Sequence, residues 1–206
     1  MRTKALILSA LVCAGGLSSA LAQTTNVYSV NAVGYINLSL PSGFSMIANQ
    51  LNTTNNTIGS LLTNLPNFSN FYKWNGNGFD IATFAFGSWD HPTYSLAPGE
   101  GGFVGIGSAA SVTLVGEVPQ GNLTNSIPAG YSIQSSQVPQ AGALDTLGLT
   151  LNNFDNVYKW NGSNYTIFTY AFGSWSPSVP QVAVGESFFV AAGTSTTWTR
   201  SFSVNQ

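Results

Sequence analysis

This chain offers few residues with which to do chemistry. His91 is the only histidine and stands in Trp89-Asp90-His91-Pro92. A carboxylate beside an imidazole is the orienting half of a hydrolytic triad, and serines abound, but no G-x-S-x-G elbow presents a nucleophile. One histidine also falls short of the several nitrogen or sulfur ligands zinc takes, and no D-x-D-x-D-G calcium loop occurs. Asp80, Asp90 and Asp145 are the acids from which a glycosidase pair could be drawn. Trp74, Trp89, Trp160 and Trp175 offer a different chemistry, because an indole face buries the C–H surface of a sugar ring while polar neighbours bind its hydroxyls. Trp74 and Trp160 lie inside aromatic, strand-like runs and read as core. Trp89 and Trp175 follow Gly-Ser and precede proline-containing loops, so they are the candidate ligand-binding residues.

The remaining charges are set by an internal duplication. Tyr72-Lys73-Trp74-Asn75-Gly76 recurs as Tyr158-Lys159-Trp160-Asn161-Gly162, a shift of 158 − 72 = 86. Ala85-Phe86-Gly87-Ser88-Trp89 recurs as Ala171-Phe172-Gly173-Ser174-Trp175, and Gly99-Glu100 as Gly185-Glu186, at the same shift. Pro41-Ser42-Gly43-Phe44 matches Pro128-Ala129-Gly130-Tyr131 one position further on, which places a single-residue gain or loss near Asn52 to Thr57. Ordered matches at one near-constant shift mark a tandem repeat. Lys73/Lys159 and Glu100/Glu186 are the only charged positions present in both copies. A lone charge beside apolar strands is costly to desolvate, so each lysine is expected beside its glutamate as a structural ion pair, Lys73 with Glu100 and Lys159 with Glu186, or the glutamates cap turn amides. No catalytic residue is assigned, and no metal or cofactor is implied.

The elements that position these residues read as short strands. Asn75-Gly76 and Asn161-Gly162 interrupt aromatic runs that alternate with polar residues, the pattern of half-buried hairpins. Strands are also expected over Phe44 to Leu51, around Phe103-Val104 and over Val112 to Val118. Their counterparts are Tyr131 to Val138, Phe188 to Val190 and Trp198 to Val204. Ile58 to Leu62 is a single helical turn at most, as is Leu144 to Leu147. The fold class is all-β: two tandem β modules, sandwich- or barrel-like, over 23–120 and 121–206. Asn31 to Leu40 is a strand that is free to pair with Phe202 to Val204 and close the whole.

Composition sets the outer bounds. Residues 1–22 read as a cleaved signal peptide: Arg2 and Lys4, an apolar stretch, then Ala20-Leu21-Ala22 before Gln23. The stretch is shorter than the ~20 residues a spanning helix needs, and no second one follows. Val12 stands before Cys13 where a lipoprotein signal has a small residue. The one cysteine leaves with the signal, which removes disulfides and thiolate chemistry from the mature chain. What remains carries three cations against seven carboxylates, 3 − 7 = −4, and three scattered cations cannot form a phosphate-binding surface. Charged residues make up 6% of the chain and aromatics 13%, so hydroxyls and amides rather than charge must keep it in solution.

The order GFSMIANQLN, YKWNG, FGSW, LAPGEGGFV, VGEVPQG resembles secreted β-repeat proteins of environmental bacteria of the Verrucomicrobia and Planctomycetes kind. It is also similar to the glycine–aromatic β modules appended to bacterial surface proteins. The resemblance implies an extracellular β module and transfers no catalytic residue. The expected function is therefore that of a secreted, non-enzymatic structural, adhesive or matrix component, partnered by polysaccharide or other cell-surface proteins and not by nucleic acid. A carbohydrate-binding module using Trp89 and Trp175 is the alternative, and a hydrolase built on Asp90 and His91 a third reading.

Overall fold

The structure, a computed structural model, describes residues 31–204; the signal-peptide reading over 1–22 lies outside the described residues. The fold is all-β, with one four-residue helical turn among the described residues. Strands β1 (Val33–Leu40), β2 (Gly43–Ala48), β3 (Ser69–Trp74), β4 (Phe79–Ala85), β5 (Ser88–Trp89), β6 (Gly101–Ile106) and β7 (Ala110–Glu117) come first, with helix α1 (Ile58–Leu61) between β2 and β3. They form a five-stranded antiparallel sheet of order β2-β6-β3-β4-β5 and a separate β1-β7 ribbon. The same plan then repeats. Strands β8 (Gly121–Ile127), β9 (Gly130–Gln134), β11 (Asp155–Trp160), β12 (Tyr165–Ala171), β13 (Ser174–Ser176), β15 (Phe188–Ala192) and β16 (Thr196–Phe202) give a sheet of order β13-β12-β11-β15-β9 and a β16-β8 ribbon. Two further two-residue strands, β10 (Gly142–Ala143) and β14 (Gln181–Val182), pair with each other. Of the segment Asn31 to Leu40 that the sequence left free to close on Phe202 to Val204, Val33–Leu40 instead pairs with β7, eight residues against eight. Its counterpart β8 takes the last strand, β16.

Period-two alternation gives each five-stranded sheet two apolar faces. Phe71, Ala82, Phe84 and Val104 point from the first sheet toward its own ribbon, where they meet Ile36, Leu38, Val112 and Leu114. Val157, Phe188 and Val190 do the same in the second half, against Ile127 and Trp198. The opposite faces carry Met46, Tyr72, Trp74 and Phe103 from the first sheet and Ile133, Tyr158, Trp160 and Phe189 from the second, and these form one shared cluster. The halves are thus joined by a third, common core, here called the seam.

The seam has approximate two-fold character, because several of its contacts occur twice with the copies exchanged. Trp74 donates its indole N–H to the Tyr131 carbonyl at 2.8 Å, and Trp160 donates to the Phe44 carbonyl at 2.9 Å. The Ala48 amide donates to the Gly185 carbonyl at 2.8 Å, and the Ser135 amide to the Gly99 carbonyl at 3.0 Å. Such an arrangement brings equivalent positions face to face at the axis. A Cβ on Gly101 would lie 2.3 Å from the Ser187 Cβ, and these two residues occupy the same place in the repeat. Only one of the two can carry a side chain.

The Asn75-Gly76 hairpin forms with a four-residue loop, since Trp74 pairs with Phe79 and the Asn75 amide donates to the Gly78 carbonyl. Asn75 Oδ1 accepts the amides of Asn77 and Gly78, which is the asparagine turn chemistry that stabilises the loop. The tight two-residue hairpin lies elsewhere, at Phe86-Gly87, where Ala85 pairs with Ser88.

Candidate functional site

Both duplicated charge pairs are in contact. Lys73 Nζ lies 3.1 Å from Glu100 Oε2, and Lys159 Nζ lies 3.0 Å from Glu186 Oε1. The lysines lie on the core-facing side of their strands, as Phe71 and Val157 do, and each also donates to a backbone carbonyl, Ser95 in the first copy and Gln181 in the second. The glutamates meanwhile accept turn amides: Ala97 to Glu100 and Ala183 to Glu186, both at 2.8 Å. The two sequence readings, ion pair and amide cap, therefore hold together in one carboxylate. Burial pushes the Glu100 carboxyl up, but the Ser95 hydroxyl, the Ala97 amide and the Lys73 ammonium outweigh it, so its pKa lies below the ordinary value. The pairs thus fasten a turn to a hairpin strand.

The remaining acid–base candidates are tied into their own loops. Asp90 lies 3.1 Å from His91 Nδ1 and accepts the Thr83 amide at 2.7 Å, the contact that most lowers its pKa. His91 is exposed and stacks on Tyr94 with ring centroids 5.4 Å apart. Asp80 accepts from the Asn75 side chain, and Asp145 from the Thr146 amide. Among the described residues no group of three or more His, Cys, Asp or Glu side chains comes together.

Trp89 does not face solvent, which corrects its assignment as a ligand-binding residue. It is 6% exposed, packs edge-to-face on Phe84, and donates its indole N–H to the Leu62 carbonyl at 2.8 Å. Trp175 is half-buried against Tyr170 in the second core. The loop prolines that made both look exposed sit beyond strands short enough to fold their indoles inward.

A continuous aromatic surface, partly exposed, lies at the seam instead. In the first copy Phe44, Tyr72, Phe79 and Phe103 form a closed circuit, with neighbouring centroids 5.6, 6.1, 5.9 and 6.4 Å apart. In the second copy Tyr131, Tyr158, Tyr165 and Phe189 form the same circuit, at 5.8, 6.3, 6.1 and 6.4 Å. Trp74 and Trp160 link the two circuits across the axis, meeting Phe189 at 5.4 Å and Phe103 at 5.8 Å. Edge-to-face angles dominate, as ring quadrupoles favour. Phe44, Phe79, Tyr131 and Tyr165 remain exposed at the rims.

The second circuit opens into a dish of about 280 Å³ lined by Trp74, Tyr131, Tyr158, Tyr165 and Phe189. Trp74 and Tyr131 also line a neighbouring cleft of about 620 Å³, whose other walls include Asn75, Thr124, Asn125, Ser126, Ser132, Gln134 and Gln137. Lys73 and Glu100 contribute to that wall as a neutralised pair. The Tyr131 and Tyr158 hydroxyls lie 3.5 Å apart, and that contact together with burial pushes the Tyr158 phenol up to about 12. Burial raises Tyr165 as well. An aromatic floor beside a wall of amides and hydroxyls can stack on apolar faces and exchange hydrogen bonds.

Sequence reasoning missed Tyr131, Tyr158, Tyr165 and Phe189, because each reads as an ordinary alternating strand residue. The signal that was available for Tyr165 and Phe189 was the presence of aromatics on both faces of β12 and β15. No protein-family model matches the chain, and no curated protein and no solved structure matches it either.

Proposed function

We propose that the chain is an exported, non-enzymatic glycan-binding protein whose site is the tyrosine-rimmed dish and the amide-lined cleft beside it. The observation that carries this reading is that the two share Trp74 and Tyr131, so a stacking surface runs directly into a hydrogen-bonding one. A sugar ring has that combination of faces, apolar C–H above and below with hydroxyls around the edge. A cationic or anionic ligand fits less well, because the one lysine and one glutamate of the cleft neutralise each other. The same reading fits the adhesive role implied by the resemblance to secreted β-repeat proteins, with retention on a wall or matrix polysaccharide as the adhesive event.

The test is retention of residues 23–206 on a panel of insoluble polysaccharides, with calorimetry against soluble fragments of whichever is retained. Stacking on an aromatic ring contributes ~0.5–1.5 kcal/mol beyond its area. Tyr131→Ala with Tyr165→Ala should therefore weaken binding roughly 10- to 100-fold, while Trp175→Ala leaves it unchanged. Retention on no glycan overturns the reading, and so does retention that the tyrosine variant does not weaken.

A further inference from the structure

Four residues other than glycine have positive φ among those described, and all four are phenylalanines: Phe68 at 67°, Phe86 at 52°, Phe154 at 71° and Phe172 at 52°. They form two edge-to-face pairs, Phe68 on Phe86 at 6.3 Å and Phe154 on Phe172 at 5.6 Å, one in each copy of the repeat. All four are among the most exposed apolar residues, from 65% for Phe154 to 88% for Phe86. The left-handed region costs a bulky L-residue roughly 1–2 kcal/mol. Phe86-Gly87 and Phe172-Gly173 have φ > 0 at both central positions of a two-residue hairpin, the turn that asparagine–glycine fills with least strain. Asparagine is common in this chain, yet both copies place phenylalanine there. These rings contribute nothing to a core, so packing does not explain them.

The rings are also held rigidly. The Phe86 amide donates to Asn67 Oδ1 and the Phe172 amide to Asn153 Oδ1, both at 2.8 Å, which ties the two turns of each pair together. Phe68 and Phe154 donate to the Phe84 and Tyr170 carbonyls at 2.7 Å. Phe68 and Phe154 each stand six residues before the seam tryptophan of their strand, Trp74 or Trp160, about 20 Å along the chain at ~3.3 Å per residue. One molecule therefore presents the same pre-organised apolar contact twice.

We propose that the phenylalanine pairs are self-association contacts through which copies of this chain join end to end. Three observations select a second copy as the occupant. The patch is duplicated, and a building block with two like contacts propagates without closing. The mature chain has a net charge of only −4, so copies repel one another weakly. Asp90, four residues after Phe86, is an exposed acid, which disfavours an anionic lipid surface at that pair. Four meeting rings bury at most ~1,000 Å², below the ~1,200–2,000 Å² of a stable complex. Each contact is accordingly weak, and only a surface array bearing many of them holds firmly.

Sedimentation of residues 23–206 in the absence of glycan tests this independently of the glycan site. The wild type should associate into open-ended oligomers at roughly 0.1–1 mM, the range for so small a contact. Phe86→Asn with Phe172→Asn should remain monomeric while melting at the same or a higher temperature, because asparagine relieves the turn. Phe86→Asn alone should stop at dimers, since one end stays competent. Phe86→Gly with Phe172→Gly serves as the second double variant should the asparagine one not fold. A wild type that is monomeric at 1 mM overturns the proposal. So does association that survives both double variants, or phenylalanine-dependent binding to phosphatidylcholine vesicles without self-association.

Discussion

The two aromatic circuits have the same geometry and different chemistry. Corresponding centroid distances agree to within about 0.2 Å, yet the first circuit carries one hydroxyl, on Tyr72, and the second carries three. The buried members are kept, Phe103 opposite Phe189, because a ring of that volume must fill the shared core. The rim members change, Phe44 to Tyr131 and Phe79 to Tyr165, because an exposed ring edge accepts a hydroxyl at little cost. Duplication thus preserved a packing unit and left one rim free to become polar.

The comparison breaks most severely at its buried centre. Phe103→Ala and Phe189→Ala should each cost about 3–5 kcal/mol in denaturant unfolding, as large-to-small core changes do. Similar losses from the two variants identify the seam as common property of both halves. Losses differing by more than about 2 kcal/mol would mean that each sheet is stabilised mainly by its own core.

The axis itself gives a sharper handle. Gly101→Ser should destabilise by about 1–3 kcal/mol through overpacking against Ser187. Ser187→Gly should be nearly neutral, since the Ser187 hydroxyl is buried without a hydrogen-bond partner. Combining them should recover most of the loss, because the side chain has merely changed sides. Failure of the swap to recover stability would refute the two-fold contact at that point.

The ion pairs come next. Lys73→Met and Lys159→Met should each cost about 1–2 kcal/mol, between the values for exposed and buried pairs, because these side chains are 20–22% exposed. The Glu100 carboxyl has a depressed pKa in the fold, so its contribution is complete above the unfolded value of 4.5 and is lost as pH falls through the lower folded value. Glu100→Gln should flatten the stability profile in that acid range.

Alkaline titration then separates the two rims. Tyr158 is raised from 10.0 to about 12, so its contribution is present below pH 10 and disappears as pH rises toward 12. Tyrosinate absorbance should show a late-titrating phenol that moves earlier in Tyr131→Phe. The smallest effect is expected at His91. His91→Ala should change stability by no more than ~0.5 kcal/mol, as at other exposed positions, and abolish no turnover on esters, peptides or glycans. Turnover that is lost with His91 would install Asp90 and His91 as a catalytic pair.

Much of this architecture was legible in the residues. The shift of 86 reported the repeat, and alternation reported strands. The scarcity of charge picked out Lys73 with Glu100 and Lys159 with Glu186, because a charge beside apolar strands needs a partner wherever the chain goes. Local rules of that kind survive folding unchanged. Which surface covers which is a different question. Period-two alternation says that Tyr72 and Phe71 face opposite ways, but not that one faces its own ribbon and the other a second copy of the sheet. The tertiary structure decided that, and with it the burial of Trp89, the pairing of β1 with β7 and the vacancy that Gly101 must leave for Ser187. The left-handed phenylalanines belong to the same class. Their residue types argue for strand and core, and it is hydrogen bonds that hold them in turns and in the solvent: Phe86 and Phe172 donate their amides to Asn67 and Asn153, 19 residues earlier in the chain, and Phe68 and Phe154 donate to the Phe84 and Tyr170 carbonyls.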